Sequence, residues 1–411
     1  MSSFPLCLSP LTQVALLVAV ALHAACGSPA IAKGPPGAED EPRGPDARAA
    51  AGGSTSTPTP DEDAPASSRV IVFLPLTGRA RTAGNELAQH LEAFRRVHAS
   101  TSIEVMDVGP DEGSGERLRA LMRRGDVVGC VAFADRLSAD RLAPIAADTG
   151  KPCVFLALGE GVVGFPGKIW RGLHTAPLVS RTVSGLARAQ GALRMAIVRP
   201  EVPYGEAHAV LMRAAFEAAG GVVVVERVYS AKKPDWSAAL NELTKTEFDC
   251  LFIPDRATVA ASALAHLASM GLWSRGAATS FSDRRSVREI VVLGTPEWYE
   301  PSVLRASARY FEGSLFPLAF AEESVTGAKL ASHLRDANLG RPTALDALLW
   351  DAILALHHHL ERRPETSTAP ADAVSSSALY SVGVSLLPGS TEAVRSLFAV
   401  KVHDGQVSPL P

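Results

Sequence analysis

The chain has 411 residues, of which 47% are hydrophobic and 20% are charged, and its formal net charge is −3. This length is sufficient for two domains of ordinary size, each with its own core. A charge so close to neutral leaves no electrostatic footprint for nucleic acid or for anionic lipid, which argues against both classes of partner.

The first recognisable element is an uncharged apolar run over residues 11–25, which ends at Cys26. A bilayer-spanning helix needs about 20 apolar residues, so this shorter run predicts a secretory signal peptide. Ala24 and Ala25 precede the cysteine, a pattern that resembles a bacterial lipobox, whose cysteine is lipidated. We predict a signal peptide with a lipobox over residues 1–26. The alternatives are an ordinary cleaved signal peptide and an uncleaved anchor, and all three place the folded part outside the cytoplasm.

Residues 27–68 are rich in Pro, Gly, Ala, Ser and acidic residues, and they contain no aromatic side chain. Such a segment cannot bury enough apolar surface to offset the entropy of the chain. It predicts a disordered tether that holds a folded body away from a membrane.

From residue 69 onward, short β-branched runs alternate with amphipathic stretches. The predicted strands are 70–74, 103–108, 127–133, 153–157, 195–198, 222–229, 250–253 and 290–293. The predicted helices are 83–98, 115–124, 138–147, 177–190, 205–219, 236–244 and 258–270. Continuous apolar strands separated by helices indicate parallel sheets covered on both faces. Because the pattern restarts near Leu193, we predict an α/β protein with two doubly wound parallel-sheet lobes. Asp404 and Gly405 also predict a hairpin turn between a last pair of strands.

Ligands of such sheets bind beyond the carboxyl ends of the strands, where loops and helix N-termini meet. This rule selects three loops in each lobe: 75–79, 134–136 and 158–161 in the first, and 200–205, 254–256 and 294–300 in the second. Two lobes whose loops face each other form a cleft, which is the usual place for a small molecule.

The remaining reactive side chains give little support for catalysis or metal binding. Cys130, Cys153 and Cys250 lie in apolar strand-like contexts and are interpreted as buried small hydrophobic residues, although Cys130 and Cys153 could form a disulfide. The three consecutive histidines at 357–359 point in different directions on a regular helix and cannot bind one ion together. Hydrolase, zinc-protease and phosphate-loop motifs are absent. We therefore predict no enzyme, no metal and no cofactor.

Several segments together carry a resemblance to a known family. They are Val70-Ile-Val-Phe-Leu-Pro-Leu-Thr-Gly78 with Gly84, Pro203-Tyr204-Gly205-Glu206, the stretches 219–221, 228–237 and 248–255, Tyr310-Phe311-Glu312-Gly313, and residues 345–352. In this order they resemble the type I periplasmic binding proteins of the leucine/branched-chain amino-acid class. The resemblance covers residues 69–411.

The resemblance implies a particular division into lobes. The first lobe would comprise residues 69–176 and 316–366, and the second would comprise residues 177–308 and 378–411. Three hinge crossings would lie near 174–178, 308–318 and 366–380. The strand pair that begins near residue 397 would then belong to the second lobe.

The family also implies which groups contact a ligand. Its amino-acid binders hold the carboxylate with two first-lobe loops and the ammonium with a second-lobe acid. The candidate ligand-binding residues are Thr77, Gly78, Asp135, Gly159 and Glu160 in the first lobe, and Tyr204, Asp255, Glu297, Trp298 and Tyr299 in the second. Tyr204 would stack or hydrogen-bond, Asp255 would bind a cation, and Trp298 with Tyr299 would form an aromatic wall.

The acids in the first-lobe loops would repel a carboxylate, so the cleft favours a cationic or amine ligand, or else it is empty and repurposed. Each candidate also has a structural alternative. Asp135 and Asp255 could cap the helices that follow them. Tyr204 could close a turn with an exposed ring, and residues 297–299 could form a surface loop. Thr77 and Gly78 form a strand-to-helix turn under either interpretation.

The resemblance implies two possible functions. The first is an extracytoplasmic solute-binding lipoprotein of ABC-importer type, which binds a small polar ligand of the amino-acid or amine class and delivers it to an ABC permease. The alternative is an envelope lipoprotein that activates a penicillin-binding protein, with a peptidoglycan synthase as its partner. Either protein would lie on the periplasmic side of the cell envelope, lipid-anchored through Cys26, or be secreted if the lipobox is not used. Repressors of the same fold carry an N-terminal helix-turn-helix. This sequence has the predicted leader and tether in that position, which argues against a repressor.

Overall fold

The computed structural model of the protein describes residues 68–109, 113–157, 164–277, 287–361, 379–381, 383–387, 389–394 and 396–410. The strands are β1 (Arg69–Leu74), β2 (Ser102–Asp107), β3 (Val127–Phe133), β4 (Cys153–Leu156), β5 (Ile169–Arg171), β6 (Arg194–Pro200), β7 (Val222–Tyr229), β8 (Cys250–Phe252), β9 (Leu272–Ser274), β10 (Arg288–Leu293), β11 (Leu315–Leu318), β12 (Phe398–His403) and β13 (Gln406–Pro409). The predicted leader with Cys26, almost all of the tether, and the candidates Gly159 and Glu160 lie outside the described residues.

The α-helices alternate with these strands over most of the chain. They are α1 (Arg81–Val97), α2 (Ser114–Met122), α3 (Arg136–Asp148), α4 (Ala176–Ala189), α5 (Pro203–Ala218), α6 (Trp236–Leu240), α7 (Ala257–Ser269), α8 (Pro301–Ala306), α9 (Ala308–Phe311), α10 (Val325–Asp336) and α11 (Ala344–Glu361). Among the residues in the described ranges, no helix combines the length and the hydropathy needed to span a membrane.

Two sheets form the two lobes. The first has the strand order β2-β1-β3-β4-β5 and is parallel throughout. The second has the order β13-β12-β11-β10-β8-β6-β7, with β9 paired to β10. Its strands are parallel except for β12 and β13, which add an antiparallel hairpin to β11. The predicted fold class is confirmed, and the predicted hairpin turn at Asp404 and Gly405 lies between β12 and β13.

Two of the lobe boundaries lie at other residues in the structure than the sequence predicted. Strand β11 pairs with Leu293 of β10 and with β12, so residues 315–318 belong to the second sheet, although residue 316 was expected to begin the return to the first lobe. The second crossing therefore follows residue 318. Helices α10 and α11 then pack on α1 of the first lobe, and α11 also covers β3 and β4.

The third crossing also lies later than expected. Arg171 of β5 forms a bridge with Glu392, and their side chains form an ion pair of 2.7 Å. The indole Nε1 of Trp170 donates to the carbonyl oxygen of Leu387 at 3.2 Å. Described residues between 379 and 394 therefore pack on the first lobe, and the chain crosses to β12 after residue 394. The interval 366–380 expected for this crossing lies almost entirely outside the described residues.

A buried carboxylate fixes part of this returning segment. Asp351 of α11 is completely buried, and its oxygens accept hydrogen bonds from the backbone N–H groups of Tyr380 and Ser381, both at 2.7 Å, and from the Ser381 hydroxyl. Burial raises the pKa of Asp351 to about 6, although these hydrogen bonds oppose the rise. The Tyr380 hydroxyl lies 3.0 Å from Nε2 of His98 on α1. We call Asp351, Tyr380 and Ser381 the return anchor.

The cysteines agree with their interpretation as buried hydrophobic residues. Cys130 and Cys153 are directly opposite each other in β3 and β4, and both are completely buried with free thiols. Cys250 is also a free, completely buried thiol. Burial raises the pKa of Cys250 to about 12 and raises that of Cys130 as well, so these thiols are poor nucleophiles.

The close approach of α1 to the end of β1 depends on a glycine. A Cβ atom at Gly84 would lie 2.2 Å from the carbonyl oxygen of Pro75, so a side chain there must push the helix away from the loop. We expect Gly84→Ala to lower the free energy of unfolding by about 1–3 kcal/mol. The helical Gly185 on α4 is exposed and has open space around its Cβ position, so Gly185→Ala should instead stabilise the protein by about 0.5–1 kcal/mol. Urea denaturation of both variants checks this contrast, and equal effects of the two substitutions would contradict it.

Candidate functional site

The first-lobe loop after β1 is held by the carboxylate of Asp107, which is not among the residues predicted from the sequence. Asp107, the last residue of β2, accepts hydrogen bonds from the backbone N–H of Leu76 at 2.9 Å, the Thr77 hydroxyl at 2.6 Å and the backbone N–H of Gly109 at 3.1 Å. Burial alone would raise the pKa of Asp107, but these hydrogen bonds lower it. Thr77 and Gly78 are exposed, and Gly78 has a left-handed φ of 74°. The loop is therefore fixed by Asp107, and its tip is exposed.

Asp135 caps a helix in the described structure. Its carboxylate accepts from the backbone N–H of Ser138 at 2.9 Å and from the Ser138 hydroxyl at 3.1 Å, and it is the N-cap of α3. Helix capping is the alternative role that the sequence predicted for Asp135. The side chain is exposed at the carboxyl end of β3, next to the first-lobe loop around Thr77 in strand order.

In the second lobe, Tyr204 and His208 lie on the first turns of α5. A Cβ atom at Gly205 would lie 2.4 Å from the carbonyl oxygen of Pro200, so the missing side chain lets α5 begin directly against the end of β6. Tyr204 and His208 are one helical turn apart and share a face. Their ring centroids are 4.4 Å apart.

Five buried polar atoms at this edge lack a well-formed hydrogen bond in the described structure, although the Tyr204 hydroxyl lies close enough to the Thr295 and Glu297 side chains to interact with them. They belong to side chains that we call the polar cluster, and the atoms are His174 Nδ1, Tyr204 OH, His208 Nδ1, Thr295 Oγ1 and Glu297 Oε2. Thr295 and Glu297 follow β10, Tyr204 and His208 follow β6, and His174 lies in the crossing between β5 and α4. Buried polar atoms are nearly always satisfied, so this concentration indicates a place that receives water or a polar ligand.

The members of the polar cluster are close enough to affect one another's charge. Burial, followed by the negative charge of Glu297, raises the pKa of Tyr204 well above its ordinary value. Burial lowers the pKa of His174 and His208, while the Glu297 charge partly opposes this effect. Burial therefore favours the neutral form of both imidazoles beside the Glu297 side chain.

Asp255 lies near the polar cluster, but its carboxylate already has partners. One oxygen accepts from the Tyr229 hydroxyl and the other from the backbone N–H of Arg256 at 2.7 Å. Burial and the Asp255 charge raise the pKa of Tyr229. The N-cap of α7 is Arg256, so Asp255 is not the helix cap that the sequence offered as its alternative role.

The expected aromatic wall differs from the structure. Trp298 is 0% exposed and packs against Phe311 and Phe316 in the core of the second lobe, with ring centroids 5.3 and 6.2 Å away. A Cβ atom at Gly294 would lie 2.2 Å from the indole, so the glycine leaves the space into which this ring turns. Tyr299 is half-buried, and burial followed by the charges of Glu323 and Glu322 raises its pKa to about 12. Trp298 is therefore a core residue and not part of a cleft wall.

The described part of the chain contains no group of three or more His, Cys, Asp or Glu side chains that could hold a metal ion. Among the three consecutive histidines, His359 packs edge-on against Trp170 with ring centroids 5.4 Å apart. Burial lowers the pKa of His359, and it contributes to the packing of α11 on β5.

Three members of the polar cluster, namely His174, His208 and Thr295, are not among the residues predicted from the sequence. For His208, the available signal was its spacing of four residues from Tyr204 on a predicted helix. Thr295 lies within the loop 294–300 that was selected as a whole. His174 lies at the start of the predicted crossing 174–178, and nothing in the sequence connects it to Glu297.

Comparison with protein families gives one match. A family model described as periplasmic binding protein matches residues 107–397, which is well over half of the chain. No curated protein matches the sequence.

Solved structures with the same fold are numerous. A structure described as a branched-chain amino acid ABC transporter protein from Rhodospirillum rubrum has 18% identity and a TM-score of 0.70, covering 84% of this chain and 100% of that one. A branched-chain amino acid substrate-binding protein from Streptococcus pneumoniae, in complex with isoleucine, has 15% identity and a TM-score of 0.53, covering 83% and 97%. A solute-binding protein from R. palustris, in complex with 4-hydroxybenzoate, has 16% identity and a TM-score of 0.55, covering 83% and 94%. At these identities the similarity establishes a common fold.

Proposed function

The chain belongs to the periplasmic binding protein family, and from this premise we propose that it is an extracytoplasmic solute-binding protein of ABC-importer type. Its ligand is a small polar molecule of the amino-acid or amine class, bound between the two lobes. Solute binding requires no chemical step, and family membership supports a role without catalysis. The partner that receives the ligand is an ABC permease.

The observation that carries this proposal is the polar cluster. Its five buried polar atoms without a well-formed hydrogen bond lie where β6 and β10 of the second sheet end and where the chain passes from β5 to α4, and α/β folds bind ligands at such carboxyl edges. His174 comes from a crossing between the lobes, so the cluster faces the junction at which a hinge motion would open and close the site. A ligand that satisfies these atoms would stabilise the closed arrangement through contacts that the open arrangement lacks.

Residues from both lobes contribute to the proposed site. On the first lobe we propose Thr77, Gly78 and Asp135, together with Gly159 and Glu160, which lie outside the described residues. On the second lobe we propose Tyr204 and Glu297 as direct ligand contacts, with Tyr299 at the edge of the site.

We also propose that the protein is a lipoprotein on the periplasmic side of the envelope. Cys26 would carry the lipid, and residues 27–68 would connect it to the first lobe. Mass spectrometry of the mature N-terminus tests this directly. A lipidated Cys26 as the first residue supports the proposal, and an unmodified N-terminus at another residue contradicts it.

The alternative of a penicillin-binding-protein activator, which would bind a peptidoglycan synthase, is not proposed. The matches reported above are a transporter protein, a substrate-binding protein and a solute-binding protein. No contact in the described residues favours a synthase partner over a ligand.

Thermal unfolding with pooled ligands tests the proposed function. Pools of amino acids, polyamines and small aromatic acids are added to the purified protein, and a rise of several degrees in the unfolding temperature identifies a ligand. For that ligand we expect Tyr204→Ala to weaken binding about tenfold or more, because it removes both a buried hydroxyl and a ring that contacts His208.

The matched control is Tyr310→Ala, which removes a second-lobe tyrosine that stacks on Trp273 away from the polar cluster. Calorimetry should give the same affinity for this variant as for the wild type. Equal losses in the two variants, or no thermal shift from any pool, would contradict the proposed site.

A further inference from the structure

The parallel strands of the first sheet all begin at one edge, which we call the amino edge. It lies opposite the carboxyl edge that carries the candidate ligand loops of this lobe. Strand β1 begins there at Arg69. The loops that precede β2, β3, β4 and β5 lie at the same edge, because these strands pair in parallel with β1 or with one another. Residues 1–67 therefore join the first lobe at its amino edge.

Three basic side chains surround two carboxylates at the amino edge. Arg69 forms an ion pair of 2.9 Å with Glu104. Arg124 forms ion pairs of 3.1 Å with Glu104 and of 2.8 Å with Asp126. Lys151 lies beside them, and its Nζ donates to the carbonyl oxygen of Arg124 at 2.7 Å. The two arginines balance the two carboxylates, so the positive charge of Lys151 is in excess.

Two further arginines at this edge project into solvent. Arg96 lies in the last turn of α1, and Arg123 follows the last turn of α2. Both are exposed, and neither forms an ion pair with a described residue. Val97, next to Arg96, is 39% exposed. The amino edge therefore presents unpaired guanidinium groups together with an exposed apolar side chain.

The other charges near this edge do not cancel the excess. Glu92 forms an ion pair with Arg95 on α1. Asp148, the last residue of α3, is an exposed acid, and Lys168, in the loop before β5, is an exposed base that offsets it. The formal net charge of −3 for the whole chain therefore conceals a local excess of positive charge where the chain enters the first lobe.

We propose that the amino edge of the first lobe docks on the headgroups of anionic phospholipids. Each Lys or Arg near such a surface strengthens binding about fivefold. A lipid surface fits better than a soluble anion, because residues 27–68 connect this edge to the proposed lipid on Cys26 and because Val97 would gain contact with the headgroup region. This inference rests on the proposed lipid anchor, and it names the surface of the protein that faces the membrane.

Docking at this edge fixes the orientation of the first lobe. The carboxyl ends of its strands then point away from the headgroups, so the loop around Thr77 stays accessible from the side away from the membrane. The attraction acts between exposed charges, so salt weakens it and the lobe can leave the surface. The cluster therefore orients the lobe at the membrane without holding it there permanently.

The experiment uses the full chain with Cys26→Ser, which removes the proposed site of lipidation. Sedimentation with vesicles measures binding to phosphatidylcholine alone and to phosphatidylcholine that contains one third phosphatidylglycerol. Residues 1–26 contain no Lys, Arg, Asp or Glu, so the leader contributes equally to both kinds of vesicle. We expect binding to the anionic vesicles to be about tenfold tighter at low salt, and to weaken severalfold when the salt is raised from about 50 to about 300 mM.

Substitution of the two exposed arginines tests the surface itself. Arg96→Gln combined with Arg123→Gln should weaken binding to the anionic vesicles about tenfold or more, because each removed charge contributes about fivefold. The matched control is Lys232→Gln combined with Lys233→Gln, which removes two exposed charges beyond the end of β7 in the second lobe and should leave vesicle binding unchanged. All four side chains are exposed, so both double variants should keep the unfolding temperature of the parent chain.

Equal binding to the two kinds of vesicle, or equal losses in the two double variants, would overturn the docking surface. A DNA duplex that binds the parent chain as tightly as the anionic vesicles at the same salt would show general attraction of polyanions and overturn the assignment to lipid. These outcomes are distinguishable from failure of the proposed function, because the thermal shift by small ligands is measured without vesicles. Failure of the lipid anchor is likewise read separately, from the mass of the mature N-terminus.

Discussion

Glu297→Gln is expected to weaken binding of a primary-amine ligand about 100-fold, equivalent to about 2.8 kcal/mol. The substitution keeps the shape of the side chain but removes its negative charge. It also replaces one acceptor oxygen with an NH2 group that cannot receive a ligand N–H. Because Glu297 Oε2 is buried and Glu297 forms no ion pair among the described residues, little else in the second lobe could compensate for the lost charge.

The stability of the unliganded protein separates this effect from misfolding. Removing an uncompensated buried charge should leave the unfolding temperature of the unliganded variant unchanged or higher. The control Glu201→Gln changes an exposed carboxylate at the same sheet edge and should match the wild type in both affinity and stability. Affinity measured by calorimetry that is unchanged in Glu297→Gln would remove Glu297 from the site, and a lower unfolding temperature would indicate a structural role instead.

Asp351→Ala is expected to have the largest effect on stability, lowering the free energy of unfolding by about 3–4 kcal/mol at pH 7. The backbone N–H groups of Tyr380 and Ser381 would lose their partner inside the first lobe, and each unsatisfied buried donor costs about 1–3 kcal/mol. Asp351→Asn keeps the volume and one acceptor, so it should lose less. The control Asp336→Asn changes an exposed acid on α10 and should remain within about 0.5 kcal/mol of the wild type.

The pH dependence of this effect has a definite sign. Burial raises the pKa of Asp351 in the folded protein to about 6, above its ordinary value of 3.8. Between these values the folded state holds a proton that the unfolded state releases, so the Asp351 contribution to stability falls as the pH rises from 4 to 6. The pKa of His98, lowered by burial to about 4, acts in the opposite direction.

The quantity to compare is therefore the difference in unfolding free energy between the wild type and Asp351→Ala, measured by urea denaturation from pH 4 to pH 7. This difference should decrease with rising pH. A difference that increases with pH would show that the folded protein prefers the ionised carboxylate.

Much of the fold follows from local patterns in the sequence. The long apolar runs that became β1, β3, β6, β7 and β10 are β-branched and lie between helices with clear amphipathic spacing. Strands β5, β9 and β11 were not predicted because their three or four residues carry too little pattern, whereas the equally short β4 and β8 lie in apolar runs that were predicted. Strand β5 has three residues and β11 has four, and Pro317 in β11 argues against a strand on sequence grounds.

The crossings could not be located accurately for a related reason. Whether a segment such as β11 joins one sheet or the other is decided by its neighbours, here β10 and β12, and β12 lies far along the chain. The return anchor could not be predicted for the same reason, because Asp351 and Ser381 are brought together only by tertiary packing. Sequence periodicity reports local structure and contains no information on these long-range pairings.

The residues of the candidate site were likewise predicted only in part. Loop position relative to the strands selected Tyr204 and Glu297, which lie together in the polar cluster. Trp298 was interpreted as a cleft residue because large aromatics are common in ligand sites, but the space left by Gly294 lets its ring turn into the core. His174 was not selected because its proximity to Glu297 exists only in the folded chain.

The antiparallel hairpin on the second sheet has a consequence for how the protein folds. Strand β12 pairs Lys401 with Leu315 of β11, and helices α10 and α11 of the first lobe lie between them in sequence. The edge of β11 therefore stays open until a long loop has closed, and loop closure of this kind slows folding more than it reduces stability. The two lobes must complete their assembly together, which leaves an exposed strand edge during folding as a point open to aggregation.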